Sequence, residues 1–185
     1  MRVISGAFRG RRLKEPPGFD IRPTSDMVKE SIFNIVQFDI EGRRVLDLFA
    51  GTGQLGIEAL SRGAKSVVFV DSSSDAVKLI RENIKICGVS GVSEIYRRDA
   101  LSFLKYCEPF DLIFSDPPFD SQLSAAAINK IIEFDKLNAN GIIISETRAD
   151  IAAEFVLPTS YSQKEYIYGK VKITRYEYSG LSGKL

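Results

Sequence analysis

The residues best suited to chemistry form the segment Asp116-Pro117-Pro118-Phe119, which follows a short apolar run. An apolar run that stops at two prolines predicts a buried strand ending at this segment, although Pro-Pro is also an ordinary strand stop. The Asp116 carboxylate and the Pro117 carbonyl can each accept one N–H of a planar amino group. Phe119 offers a flat face on which a nucleobase can stack. The segment therefore indicates a catalytic site for the exocyclic amine of a base, with Pro118 stiffening it.

A second segment suited to ligand binding is the glycine-rich turn that contains Gly51, Gly53 and Gly56. It follows an apolar run and precedes a helical pattern, so it predicts a strand–turn–helix unit in which the backbone approaches a ligand closely. The spacing also matches the dinucleotide fingerprint, and Asp71 lies twenty residues beyond Gly51, where that fingerprint expects a ribose-binding acid. A nicotinamide enzyme is therefore a serious alternative.

Electrostatics favours a cationic ligand at this turn. Asp47 lies at the end of the preceding strand, where a pyrophosphate would add negative charge beside a carboxylate. S-adenosylmethionine instead brings a sulfonium and an ammonium group, which an acid attracts. We therefore favour a methyl donor. The candidate cofactor-binding residues are Asp47, Phe49, Ala50, Gly51, Gly53, Asp71, Asp99 and Ala100.

Four acids, Asp47, Asp71, Asp99 and Asp116, each lie at the carboxyl end of a predicted strand. Ligands of parallel sheets bind at the carboxyl ends of the strands, so these acids can face one site. Asp71 would accept the ribose hydroxyls and Asp99 the adenine amine. Each could instead cap a helix or serve a turn, which is a common use of Asp.

Alternation of short apolar runs and amphipathic segments after residue 42 predicts a parallel, doubly wound α/β sheet, and the tail predicts an antiparallel hairpin. A helix carrying Val28 and Ile32, capped by Thr24 or Ser25, precedes the sheet. The predicted strands are Val45–Phe49, Ser66–Val70, Ser93–Tyr96, Asp111–Ser115 and Gly141–Glu146, the predicted helices are Gln54–Arg62, Ser74–Cys87, Leu101–Tyr106 and Ser121–Phe134, and the hairpin pairs Tyr161–Tyr168 with Lys170–Tyr178.

Composition narrows the possible chemistry. The 185 residues allow one domain with a substantial core. There is no histidine, which excludes a Ser-His-Asp triad and His-ligated metal sites, and we expect no metal. Cys87 and Cys107 lie in no paired motif, so we expect buried structural thiols and a reducing cytoplasm. No apolar run reaches membrane-spanning length, and the first residues lack the apolar core of a signal peptide.

Positive charge is concentrated in residues 1–22, which hold six basic and two acidic residues and thus carry +4 within a chain of net charge +1. Glycines between the apolar residues of this stretch predict a small hairpin. We therefore expect a basic arm, residues 1–22, on a methyltransferase domain, residues 23–185. An arginine-rich arm suits RNA phosphates, although a solvated edge hairpin is the alternative. The candidate substrate-binding residues are Arg9, Arg11, Arg12, Arg22 and Thr24.

These motifs resemble a known family, the RsmD-type 16S rRNA guanine-N2 methyltransferases. The resemblance lies in residues 2–13, in residues 22–34, in the turn at residues 47–63 and in residues 116–119. It implies the class I S-adenosylmethionine-dependent methyltransferase fold, a Rossmann-like sheet of seven mostly parallel strands with a C-terminal antiparallel hairpin. It also implies guanine 966 of 16S rRNA, in free RNA or the small ribosomal subunit, as the target.

Two further classes remain open at this point. An N6-adenine methyltransferase acting on RNA or DNA shares the Asp-Pro-Pro-aromatic segment, and the N-terminal motifs argue against it. A non-catalytic RNA-binding assembly factor would not need both a donor-binding turn and Asp116.

Overall fold

The computed structural model describes residues 1–16, 26–118, 121–151 and 155–179. Within these ranges helices and strands alternate, as the apolar periodicity predicts. The helices are α1 (Asp26–Ile35), α2 (Gln54–Ser61), α3 (Ser74–Cys87), α4 (Ala100–Leu104) and α5 (Ser121–Glu133), and the strands are β1 (Arg44–Leu48), β2 (Ser66–Asp71), β3 (Ser93–Arg97), β4 (Phe110–Ser115), β5 (Leu137–Arg148), β6 (Tyr161–Tyr168) and β7 (Val171–Tyr178).

The strands form one sheet in the order β3-β2-β1-β4-β5-β7-β6. The first five strands are parallel, and β7 lies antiparallel between β5 and β6. The strand order reverses between β1 and β4, so a crevice opens beyond their carboxyl ends. The predicted fold class, a seven-stranded mostly parallel sheet with a C-terminal antiparallel hairpin, is confirmed.

Each face of the sheet carries its own apolar core, because strands buried on both sides need apolar residues at every position. One core packs the sheet against α1, α2 and α3, and the other packs it against α4 and α5. Cys87 is buried in the first core and Cys107 is half-buried beside the second, and burial raises the pKa of both thiols. No helix in the described ranges is long and apolar enough to cross a membrane.

The N-terminal segment, residues 1–16, lies against the domain. An isolated antiparallel bridge joins Arg2 to Arg12, so the predicted hairpin exists in minimal form. Val3 and Leu13 are buried in the first core. The backbone N–H of Ala7 donates to the carbonyl of Ser61 at 2.8 Å. The predicted boundary at residue 22 falls outside the described residues, so this division of the chain stays a prediction.

A buried charged group holds this segment in place. Glu58 of α2 is fully buried, and its carboxylate accepts the backbone N–H groups of Ile4 at 2.7 Å and Ser5 at 2.9 Å. Its charge is balanced by Arg62 at 3.0 Å and by the buried Lys29 at 3.9 Å. Burial lowers the pKa of Lys29, and the neighbouring Glu58 opposes that shift. Removing one partner would leave the others buried and uncompensated.

Two predicted elements differ from the structure by more than one residue at an end, and β5 differs at both ends, since it also runs on to Arg148. β5 begins at Leu137 and not at Gly141, because Leu137 pairs with Phe110 before an irregular stretch shifts the register. The polar residues of that stretch conceal the pairing in the sequence. The helix predicted to end at Tyr106 ends at Leu104, since the chain turns there toward β4.

Candidate active site

Four carboxylates gather at the carboxyl edge of the sheet, where β1, β2, β4 and β5 end. Asp47 lies one residue inside the end of β1, Asp71 is the last residue of β2, Asp116 directly follows β4, and Glu146 lies near the end of β5. Asp116 and Asp71 both raise the pKa of Asp47, and Asp116 raises that of Glu146. The edge therefore attracts cations.

Asp47 is the most deeply buried of these acids, with 2% of its side chain exposed. Its Oδ2 accepts the backbone N–H of Gly56 at 2.9 Å, which fixes the start of α2 on the end of β1. Burial, with smaller contributions from Asp116 and Asp71, raises the pKa of Asp47 to about 8. The carboxyl therefore both supports the turn and prefers a positive charge nearby.

The turn after β1 has the backbone that its glycines allow. Gly51 and Gly53 have φ of 55° and 76°, and Phe49 has φ of 67° although it carries a side chain. Strained non-glycine residues of this kind cluster at functional sites. A Cβ on Gly51 would meet nothing within 4 Å, so the backbone there faces open space, while the N–H of Ala50 donates to the carbonyl of Val70 at 2.9 Å.

Gly56 serves packing and not ligand access. A Cβ at this position would lie 2.3 Å from Cε1 of Phe69, so only glycine lets α2 approach β2 this closely. This is the role that the third glycine of such turns commonly plays.

Asp71 joins the turn to β2. Its Oδ2 accepts the N–H of Gly51 at 2.8 Å, and its Oδ1 accepts the N–H of Ser73 at 2.8 Å. These bonds leave each oxygen a second lone pair, so the carboxylate stays oriented for a further donor such as a ribose hydroxyl. Its role toward ribose stays a prediction.

Asp99 lies between β3 and α4. It is the N-cap of α4, and its Oδ1 accepts the N–H of Ser102 at 2.8 Å. Asp99 therefore caps a helix, as one of its two interpretations predicts. The contact of Asp99 and of the buried Ala100 with adenine stays a prediction.

The Asp-Pro-Pro segment continues from β4 as expected. Asp116 is half-buried, Pro117 is buried and Pro118 is exposed. Phe119 lies outside the described residues, as do Arg22 and Thr24. The three basic residues Arg9, Arg11 and Arg12 are exposed on the N-terminal segment, and the Arg11 guanidinium donates to the carbonyl of Ile86 at 2.7 Å.

Three residues missed by the sequence analysis belong to this region. Glu146 lies near the end of β5, beside Asp116, which directly follows β4, and extending the strand-end rule to β5 would have found it. Gln54 begins α2, and its Oε1 is buried without a hydrogen-bond partner. Asn83 donates to the carbonyls of Thr52 and Lys14, joining the turn to the N-terminal segment, and no local signal marks it.

The residues present suit S-adenosylmethionine. The open space at Gly51, the buried orphan oxygen of Gln54 and the acidic edge together fit a cationic ligand lying over the turn. A pyrophosphate would add charge of the wrong sign beside Asp47. In the described part of the chain no group of three or more Cys, Asp or Glu side chains could hold a metal ion.

Comparison with known proteins identifies the family. A family model described as "Conserved hypothetical protein 95" matches residues 1–177. The chain is 40% identical to a Bacillus subtilis protein named as a candidate rRNA methyltransferase, YlbH, covering 99% of this chain and 96% of that protein. It is 38% identical to ribosomal RNA small subunit methyltransferase D of Haemophilus influenzae, covering 81% of this chain and 80% of that protein.

Solved structures agree with this assignment. A candidate methyltransferase of Escherichia coli, yhhF, superposes with a TM-score of 0.87 at 31% identity, covering 98% of this chain and 99% of that chain. A candidate methylase of Haemophilus influenzae, HI0767, superposes with a TM-score of 0.79 at 35% identity, covering 96% of this chain and 97% of that chain. The fold is that of class I S-adenosylmethionine-dependent methyltransferases, and the chain belongs to the RsmD family of rRNA methyltransferases.

Proposed function

We propose that this protein transfers a methyl group from S-adenosylmethionine to the exocyclic N2 of guanine 966 in 16S rRNA. The observation that carries the proposal is the position of Asp116 and the buried Pro117, which continue β4 at the acidic edge where the glycine-rich turn also lies. This arrangement puts acceptors for an amino group beside a place for a cationic donor. The family relationship supports rRNA as the substrate class.

The donor would lie over the turn after β1. When bound, S-adenosylmethionine supplies a methyl group on a positively charged sulfur. Gly51 leaves room for it, while Gly53, where an added Cβ would meet Ile80 at 3.3 Å, shapes the turn with its φ of 76°. Asp47 and its neighbouring acids attract the donor's charge, and Asp71 would accept its ribose hydroxyls. Phe49 and Ala50 would line the same turn, while Asp99 and Ala100 would meet the adenine.

The protein activates the amine chiefly by positioning it. The N2 lone pair of guanine is delocalised into the ring, which makes it a poor nucleophile. Hydrogen bonds from N2 to the Asp116 carboxylate and the Pro117 carbonyl would localise that lone pair and aim it at the methyl group. The lone pair forms the new C–N bond, the electrons of the C–S bond return to sulfur, and the proton leaves N2 to Asp116 or to water.

The target base must leave its stack to reach this pocket. Phe119 is proposed to stack on the flipped guanine, with Pro118 at the mouth of the pocket. The exposed Arg9, Arg11 and Arg12 are proposed to hold RNA phosphates, and Arg22 and Thr24 are proposed to contact a base or a phosphate of the RNA. A protein that modifies ribosomal RNA or the small ribosomal subunit would act in the cytoplasm.

The test uses purified protein, labelled S-adenosylmethionine and small ribosomal subunits that lack N2-methylguanine. Nucleoside analysis should find the label in N2-methylguanosine, and Asp116→Ala should abolish transfer while the dissociation constant for the donor stays within about twofold. Label in N6-methyladenosine would replace guanine by adenine as the target. No label in subunits, free rRNA or DNA would refute the methyl-transfer proposal.

A further inference from the structure

Glu146 lies beside Asp116 at the edge of the sheet. In the parallel register of β4 and β5, Ser115 pairs with Ser145, so the next residues of the two strands are neighbours. Ile144 and Phe114 pack into the same apolar core. Because side chains alternate along a strand, Glu146 and Asp116 project toward that same face. The electrostatic effect of Asp116 on Glu146 agrees with this placement.

The carboxylate of Glu146 has an unused oxygen. Its Oε2 is buried and has no hydrogen-bond partner. The buried side-chain atoms that share this condition among the described residues are Gln54 Oε1, Ser115 Oγ, Glu146 Oε2 and Thr147 Oγ1. Glu146 is the carboxylate in that set, and leaving such an acceptor buried and unpaired costs stability. A buried carboxylate oxygen without a hydrogen-bond partner, at the edge of a binding site, indicates that its donor arrives with the substrate.

We propose that Glu146 accepts the N1–H of the target guanine and so selects guanine over adenine. This inference rests on the proposed function, because it places the base by its N2 amine on Asp116 and Pro117. The Watson–Crick edge of guanine presents N1–H directly beside the N2 amine. Asp116 and Glu146 lie at neighbouring positions beside β4 and in β5, so their two carboxylates match the neighbouring N2 and N1 donors of guanine.

An ionised Glu146 discriminates against adenine. The N1 of adenine is an acceptor, so the Oε2 of an ionised Glu146 would face a lone pair and remain unpaired. Burial and the negative charge of Asp116 raise the pKa of Glu146 to about 8, and the positive charge of the methyl donor favours the ionised form. A site that hydrogen-bonds a substrate N–H rejects the analogue that lacks it far more strongly than a site that only fits its shape.

The test compares two target bases that share the N2 amine. Small subunits are reconstituted with 16S rRNA carrying either guanine or 2-aminopurine, which has no N1–H, at the target position. The wild type, Glu146→Gln and the control Glu133→Gln are compared by kcat/KM for each base and by their affinity for S-adenosylmethionine. Glu133 is an exposed carboxylate at the end of α5, paired with Lys130, so it controls for the loss of a charge.

We expect Glu146→Gln to lower kcat/KM for guanine by about 30-fold, as for a charge-assisted hydrogen bond, with a much smaller change for 2-aminopurine. Donor affinity should fall much less than kcat/KM for guanine, since Glu146 is one of several acids near the donor, and retained donor binding also shows that the variant is folded. Unchanged preference for guanine would overturn the role of Glu146 and leave the proposed function intact. An equal loss for both bases, or a matching loss of donor affinity, would also overturn it. No transfer to guanine by the wild type would overturn the proposed function itself.

Discussion

Replacing Asp47 by Asn should stabilise the fold while weakening binding of the methyl donor. The pKa of Asp47 rises from 3.8 to about 8 in the folded protein, mainly because the carboxyl is buried. Above pH 3.8 the unfolded chain releases a proton that the folded protein keeps. The contribution of this group to stability is therefore complete below pH 3.8 and is lost progressively as the pH rises to about 8.

The size of the effect follows from that difference. The pKa of Asp47 in the unfolded chain lies 7 − 3.8 = 3.2 pH units below pH 7, and each unit corresponds to about 1.36 kcal/mol. At pH 7 the buried carboxyl therefore lowers the free energy of unfolding by about 4 kcal/mol. Asn is nearly isosteric, and its Oδ1 can still accept the N–H of Gly56. The variant should avoid most of this cost, and its stability should depend less on pH.

The assay is urea unfolding of both proteins at intervals from pH 5 to pH 9. Between pH 5 and 7.5 the free energy of unfolding of the wild type should fall more steeply, by about 1.4 kcal/mol per pH unit. Calorimetric titration should show weaker binding of S-adenosylmethionine to Asp47→Asn. Parallel stability curves would refute the proton-linkage argument, and an unchanged donor affinity would remove Asp47 from the binding site.

Three further outcomes are expected. Glu58→Ala should lower the free energy of unfolding by about 3–5 kcal/mol in urea melts, because it leaves Lys29 buried without its counter-ion. Gly56→Ala should cost about 1–3 kcal/mol in the same assay, because the added Cβ overlaps a buried ring. The double variant Arg9→Ala and Arg12→Ala should weaken RNA binding and reduce the slope of log K against log salt by about 1.5 in filter-binding titrations.

Matched controls separate these effects from nonspecific damage. Glu133→Ala removes an exposed carboxylate and should change stability little. Gly51→Ala adds its methyl group to open space. It should therefore lower donor affinity more than Gly56→Ala does, and it should lower the free energy of unfolding less. Lys105→Ala removes an exposed charge beside α4, on the face of the sheet opposite the N-terminal segment, and should leave RNA binding unchanged. If a control variant changed stability, donor affinity or RNA binding as much as its test variant does, the structural reason given for that test variant would be wrong.

The sheet and its principal turn could be predicted because their signals are local. Apolar runs and the glycine spacing predict β1, α2 and the turn between them, and α3 runs from Ser74 to Cys87 as predicted. The Ser73 side chain caps α3, and Gly88 ends it with φ of 73°. Placing acids at strand ends is likewise a local rule, and Asp47 and Asp71 do lie at the carboxyl edge of the sheet, while their roles toward the donor stay predictions.

The remaining features depend on contacts between residues far apart in the chain. Glu58 looks like an ordinary surface residue of a helix, yet it is buried because Ile4 and Ser5 donate to it from more than fifty positions away. The early start of β5 depends on pairing with Phe110, which polar residues conceal. No single-sequence pattern carries either contact, so both required the assembled fold.

The docking of the N-terminal segment bears on how the chain folds. Residues 1–14 are synthesised well before Asn83, yet the backbone of Lys14 bonds to Asn83 across 69 positions. Val3 and Leu13 therefore stay in water during synthesis until α3 has emerged, and Glu58 lacks its backbone donors until the segment closes over it. Closing loops of more than fifty residues costs conformational entropy before these contacts form, so we expect the segment to dock after the sheet has assembled.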